Sequence, residues 1–341
     1  MKDFELFFDS MYLIFVLFLG IRILLFRKPS SGLIGAMTLL LGIGDSFHLI
    51  PRIVANVMTD GFEVNAGGLF LGTRISAMTM SLFYLLFYYY IRRETKKTNR
   101  VLDILMPVLF LIRMVTVGLS FNRAASMDLI SNAPFLVMGF IDIALLYKER
   151  GNTNFGKLFI YVFFSFLFYL PVVLFKNTYP TIGMLMMPKT VMYVLIVWKL
   201  YGNLKGNFDK NDLLQFALTY LFFGIFSGAF YREIGKLYPV EAKMAFLHVH
   251  LIVLGCVLLI LAYLLIRDRA FENARLKKLL TIYNVGMFFS FSAMFLHGMI
   301  DGYAPGEVAR IGMVAMSGVG HILLTFALIW AVKSGLKAME A

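Results

Sequence analysis

Four of the five histidines in this chain fall in its last third, within or beside long apolar segments. They are His248, His250, His297 and His321. Neutral imidazole is a good axial ligand for haem iron, and facing histidines at one depth in a helical bundle suit a b-type haem. The alternative is that each histidine sits at a helix end and is hydrogen-bonded to a carbonyl group.

The expected depths of these histidines single out one ligand pair. At about 1.5 Å rise per residue, His250 (or His248) and His297 lie at similar depth, and His321 lies roughly 10 to 15 Å deeper. The pattern therefore predicts a haem or metal site with His250 and His297 as ligands. Arg232, at the end of a preceding segment, is predicted to pair with haem propionates through charge-assisted hydrogen bonds.

The spacing within the His-x-His pair carries a second prediction. Residues two apart on a helix project about 200° apart, so His248 and His250 cannot both ligate one metal ion. We expect them to face different neighbours.

A second group of ionisable residues lies within the apolar segments of the first two thirds of the chain, where each is a functional candidate by default. Its members are predicted to bind a substrate: Asp45, His48, Arg52, Arg74, Arg113, Asp142 and Lys189. Four cations against two carboxylates favour a basic cavity open to the outside that receives an anionic group. The alternative is a closed network in which the carboxylates neutralise two of the cations.

The composition of the chain indicates that transmembrane helices position these residues. The chain is 60% hydrophobic and 15% charged, against about a quarter charged in soluble domains. Apolar runs long enough to cross a bilayer predict an all-α polytopic membrane protein with about eleven transmembrane helices. The expected spans lie near 10–26, 33–58, 67–91, 102–121, 133–147, 155–175, 182–201, 213–231, 244–266, 279–300 and 308–332.

Charge in the connecting segments predicts orientation. Basic residues concentrate in every second loop, for example at Arg92, Arg93 and Lys96, and basic loops stay cytoplasmic. This places the N-terminus outside and the C-terminus in the cytoplasm of a cell with a bacterial-type plasma membrane. The net charge of +12 then reflects topology, and nucleic acid is not an expected partner.

The most polar interior stretch, residues 199–212, predicts a module boundary. We expect a seven-helix membrane domain over residues 1–205 and a four-helix domain with the histidine cluster over residues 206–341. The predicted partners are the lipid bilayer and a haem or another small anionic ligand. The oligomeric state does not follow from the sequence.

The histidine-rich region also resembles known families. Residues from about 212 onward, with Tyr231-Arg-Glu233, the His-x-His run, His297-Gly298 and Gly320-His321, resemble a family of uncharacterised four-helix bacterial membrane proteins. The run 246–255 is distantly similar to the His-x-His helix of haem-copper oxidases. In those enzymes the two histidines serve different haem sites, which implies haem ligation here.

Three functions remain open at this point. The leading hypothesis is a membrane protein that binds haem b and acts in haem sequestration or tolerance, in sensing, or in electron transfer. The second is a transporter or receptor for a small anion or anionic lipid. The third is a membrane enzyme acting on a lipid or quinone, with His48 and Asp45 as an acid/base pair.

Overall fold

The structure, a computed structural model, describes residues 2–120, 126–175, 178–268 and 272–340, and these residues form helices without strands. Eleven helical segments among them are long and apolar enough to cross a membrane, which confirms the predicted fold class. The chain is a multi-pass membrane protein. Its orientation stays a prediction, and the predicted end of the fourth span at residue 121 lies outside the described residues.

The helices follow one another with short connections. Their bounds are α1 Lys2–Leu24, α2 Ser31–Ala55, α3 Gly61–Val64, α4 Ala66–Thr95, α5 Arg100–Leu119, α6 Ser126–Lys148, α7 Leu158–Phe175, α8 Met186–Leu204, α9 Asn211–Ile234, α10 Ala245–His250, α11 Leu258–Ile266, α12 Asn273–Ile300 and α13 Glu307–Glu340. Single 3₁₀ turns precede α8 and α10 and follow α12, and a π-helix over Leu251–Val257 joins α10 to α11 as one span.

The first helix begins about eight residues earlier than its apolar run. Asp3 and Glu5 lie in its first turn, where the positive end of the helix dipole favours carboxylates. Acidic residues therefore extend α1 beyond the hydrocarbon span that hydropathy alone predicts.

Two compact units account for the described residues. The terminal unit comprises Met1–Leu25, Arg52–Asn65 and Lys205–Ala341, and the central unit comprises Phe26–Pro51 and Ala66–Leu204. In the terminal unit α1 packs against α9 and α12, so the four C-terminal spans have a fifth helix as partner. The predicted domain division at residues 205 and 206 stays a prediction.

A buried ion pair joins α1 to α9 within the terminal unit. Arg22 donates to Asp212 Oδ1 at 2.9 Å, and the two side chains are 1% and 8% exposed. The Arg22 guanidinium also lies 3.4 Å from the centroid of the Phe216 ring. Because both charges are desolvated, each depends on the other for compensation.

Close helix contact in the central unit depends on Gly72 of α4. A Cβ atom added there would lie 2.2 Å from the backbone oxygen of Phe47 on α2. Backbone atoms cannot move aside as a flexible side chain can, so any larger residue forces α2 and α4 apart.

Gly72→Ala is therefore expected to destabilise the protein by about 1–3 kcal/mol, the usual cost of overpacking. Gly67→Ala is the matched control, because Gly67 lies on the same helix with no heavy atom within 4 Å of an added Cβ. Thermal unfolding in detergent should show a lower midpoint for Gly72→Ala and an unchanged or higher one for Gly67→Ala. Equal midpoints would contradict the close α2–α4 packing.

Candidate functional site

A half-open pocket lies in the terminal unit where the 242–266 span begins, the 273–303 span ends and the 307–335 span begins. We call it the His297 pocket, and its volume is about 640 Å³. Its lining residues are Lys243, His297, Asp301, Ala304, Pro305, Arg310 and Val314. The ends of three spans thus meet at this pocket. The charge pattern predicts that these ends lie on the outer side of the membrane.

The imidazole in this pocket is held by a carboxylate. His297 Nδ1 donates to both oxygens of Asp301, at 2.9 and 3.0 Å, and Lys243 Nζ donates to Asp301 Oδ2 at 2.6 Å. The side chains of His297 and Asp301 are 22% and 20% exposed. With the proton on Nδ1, a neutral His297 keeps the Nε2 lone pair available as a ligand or a base.

Local backbone geometry explains why these groups converge. Asp301 follows His297 by four residues, so the two side chains are neighbours on one helix face. The chain then turns through Asp301–Tyr303 and through Ala304, which has φ 50° in the left-handed region. This tight reversal brings the start of α13, with Arg310, against the end of α12.

The His-x-His pair divides between two directions, in agreement with its spacing. His248 lies against α9, since a Cβ added at Gly228 would lie 3.5 Å from His248 Cγ. Its Nδ1 is buried and has no hydrogen-bond partner among the described residues. His250 donates from Nδ1 to the Phe246 carbonyl at 2.9 Å and shares its helix face with exposed Phe246 and Val253.

The other predicted members of the haem site lie apart from the pocket lining. His321 is exposed on α13 and its Nδ1 donates to the Ser317 carbonyl at 2.7 Å. Arg232 is 76% exposed and pairs with Glu233 at 2.9 Å. The ligand pair of His250 and His297 stays a prediction. In the part of the chain that the structure describes, no three His, Cys, Asp or Glu side chains lie close enough together to hold a metal ion.

An irregular helix follows the His-x-His pair. Residues Leu251–Val257 form a π-helix, and the Tyr283 hydroxyl donates to the Leu254 carbonyl at 2.6 Å. Gly255 permits this segment to contact the Tyr220 ring, because a Cβ there would lie 2.4 Å from that ring. Such π segments are frequent at functional sites, and the apolar sequence gives no sign of this one.

Four of the predicted substrate residues are buried in the central unit: Asp45, Arg113, Asp142 and Lys189. Lys189 Nζ lies 4.4 Å from the Tyr169 ring centroid and 5.3 Å from that of Tyr193. Asp45 and Arg113 are close enough to Lys189 to interact with it electrostatically. The structure thus brings Lys189, Asp45 and Arg113 together, with tyrosine rings between the helices.

The remaining three substrate candidates have local partners. His48 Nδ1 lies 2.7 Å from Ser76 Oγ, and because that hydroxyl donates to the Gly44 carbonyl, the imidazole is the donor. The Arg74 guanidinium lies 5.0 Å from the Phe70 ring centroid. Arg52 belongs to the terminal unit, where it forms an ion pair with Glu5.

Sequence reasoning missed Lys243, Asp301 and Arg310, all of which line the His297 pocket. Asp301 was identifiable, because a carboxylate four residues after a histidine is a regular helix contact. Lys243 and Arg310 carried no such signal, since Lys243 precedes α10, Arg310 lies near the start of α13, and the two meet only through the fold.

Comparison with known families finds a match for the C-terminal part of the chain. Residues 210–337 match the family described as "Protein of unknown function (DUF2871)". This match confirms the resemblance of the C-terminal part to an uncharacterised family, whereas the similarity to haem-copper oxidases stays an interpretation. No curated protein and no solved structure matches the chain.

Proposed function

We propose that the terminal unit binds a b-type haem in the His297 pocket, with His297 Nε2 as a ligand to the iron. The observation that carries this proposal is the hydrogen bond from His297 Nδ1 to Asp301. Metal-ligating histidines almost always donate their second ring N–H to a carboxylate or carbonyl, which fixes the ring orientation and raises its basicity. A single proximal histidine is sufficient to hold haem in several protein classes.

The charges around His297 fit a carboxylate-bearing ligand. Lys243 and Arg310 supply two cations to the pocket, and Asp301 supplies one carboxylate. Arg310 is exposed and pairs with no carboxylate among the described residues. Haem propionates would form charge-assisted hydrogen bonds with these cations. The pocket volume of about 640 Å³ also falls within the range of about 300–1,000 Å³ that small-molecule sites span.

This site suits haem sequestration, sensing or electron transfer, because a half-open pocket leaves the ligand accessible. His250, the predicted second ligand, does not line the His297 pocket. A second imidazole would exclude small molecules such as carbon monoxide from the iron, whereas ligation by His297 alone would leave room for them.

Haem titration into the purified protein in detergent tests this function. We expect saturable growth of a Soret band and much weaker binding of the iron-free porphyrin, because only the metal engages His297. Equal binding of the two porphyrins would contradict iron ligation and would indicate an apolar anion site instead.

A second candidate function is anion binding in the central unit, and the position of Lys189 favours it. Lys189 is 6% exposed, and its ammonium group contacts aromatic rings with no carboxylate within ion-pair distance among the described residues. Arg113 adds a second buried cation beside it. A small anion bound there would interact favourably with the Lys189 ammonium. The enzyme hypothesis with His48 and Asp45 stays a prediction.

Benzoate and phosphate are the probes for this second function. Either anion should raise the melting temperature of the wild-type protein, and Lys189→Met should abolish the shift. Lys199→Met is the control. Lys199 lies near the end of the same helix, where its ammonium group donates to the Thr153 carbonyl. No shift with either anion, or an equal shift in both variants, would contradict anion binding at Lys189.

A further inference from the structure

Asp142 on α6 carries a fully buried carboxyl group. Its side chain is 0% exposed, and neither carboxylate oxygen has a hydrogen-bond partner among those residues. Asp142 precedes the end of α6 at Lys148 by six residues, about 9 Å along the helix. An ionised carboxylate is very unfavourable in such a place, whereas a carboxylic acid is tolerated.

A row of hydroxyl groups leads from Asp142 through the central unit. Tyr84 on α4 is close enough to Asp142 for electrostatic interaction. The Tyr84 and Ser165 hydroxyls lie 3.1 Å apart, and since Ser165 donates to the Val162 carbonyl, Tyr84 is the donor. Tyr193 on α8 lies beside Tyr84, with the two ring centroids 6.5 Å apart, and interacts with it electrostatically.

The other end of this row lies at the group formed by Lys189, Asp45 and Arg113. Tyr193 lies beside Lys189, whose Nζ is 5.3 Å from its ring centroid, and within electrostatic range of Asp45. The titratable or charged groups that the surrounding helices contribute are Asp45 from α2, Tyr84 from α4, Arg113 from α5, Tyr169 from α7, and Lys189 with Tyr193 from α8. Asp142 thus lies at one end of a row of buried hydroxyl groups and Lys189 at the other.

We propose that Asp142 is an exchangeable proton-binding site and that the hydroxyls of Tyr84 and Tyr193 carry the proton between it and Lys189. When the Tyr84 hydroxyl turns from Ser165 to Asp142, an O–H bond forms at the carboxylate and one breaks at Tyr84. Tyr84 takes the proton of Tyr193, which takes one from the Lys189 ammonium. The Lys189 amine then regains a proton from water. This transfer is independent of haem binding in the terminal unit.

Infrared difference spectroscopy on the full-length protein tests the proposal without a known substrate. A step from alkaline to acidic pH should raise a protonated-carboxyl C=O band that shifts in D₂O. Asp142→Asn, which is nearly isosteric with the acid, should remove the band, and Asp142→Glu should move it. A band absent from the wild type, or unchanged in Asp142→Asn, would overturn the proton site. The wild-type D₂O shift and the Glu variant keep the test decisive if the Asn variant does not fold.

The path is tested by the rate of exchange. Tyr84→Phe should leave the carboxyl band in place and slow its shift after transfer to D₂O, because one relay hydroxyl is lost. Ser165→Ala is the control, since Ser165 accepts from Tyr84 but lies outside the relay. Equal exchange rates in the wild type and Tyr84→Phe would overturn the hydroxyl path.

Discussion

Arg22→Ala is expected to destabilise the terminal unit by about 3–5 kcal/mol, the usual cost of breaking a buried ion pair from one side. The substitution removes the guanidinium that now lies 2.9 Å from Asp212, whose side chain is only 8% exposed. It also removes the contact of Arg22 with the Phe216 ring. Thermal or denaturant unfolding in detergent, followed by circular dichroism, measures the loss.

Two further variants show whether the pair itself is responsible. Arg22→Met combined with Asp212→Leu removes both charges and should recover most of the lost stability, because neither member of the pair is left buried without the other. Arg267→Ala breaks the exposed pair with Asp268, whose side chains are 56% and 76% exposed, and should cost less than about 1 kcal/mol. If Arg22→Ala and Arg267→Ala have similar effects, the buried pair is not a main contact of α1.

His297→Ala is expected to abolish saturable haem binding, because no other side chain lining the pocket is a histidine. Asp301→Asn should be milder and weaken haem affinity about 10–100-fold, as is usual when the partner of a metal-ligating histidine is changed. The physical reason is that an amide neither orients the His297 N–H nor raises the basicity of Nε2 as a carboxylate does. Haem titration of each variant gives the dissociation constants.

His321→Ala is the matched control for these variants. His321 is an exposed histidine of the same unit and is bonded to its own helix. Its loss should leave haem affinity unchanged. If His321→Ala and His297→Ala weaken binding equally, the haem site lies elsewhere in the unit.

Hydropathy predicted the spans well because eleven apolar runs are separated by short polar connections, and such runs are stable only in lipid as helices. The packing partner of α1 was not predictable in this way. An apolar helix surface does not show which side faces a neighbouring helix. Arg22 is the one charged residue inside the apolar run of α1. Its partner, Asp212, can be identified only from the fold.

The candidate site was predictable in part. The sequence pointed to His297, and the charge pattern placed it near a helix end. It did not reveal that Asp301 orients His297, nor that Lys243 and Arg310 meet there. In the second group, Lys189, Asp45 and Arg113 do lie together, whereas Arg52 instead pairs with Glu5 in the terminal unit. Depth along a helix is readable from sequence, but the direction of a side chain in an apolar bundle is not.

The visible spectrum of the protein expressed with haem supplied decides whether His297 binds haem iron. Oxidised and dithionite-reduced spectra of the wild type, His297→Ala and His321→Ala should be recorded after purification in detergent. We expect a Soret band with sharpened α and β bands on reduction in the wild type and His321→Ala, and their loss in His297→Ala. A colourless wild-type protein, or a spectrum that His297→Ala leaves unchanged, would contradict it.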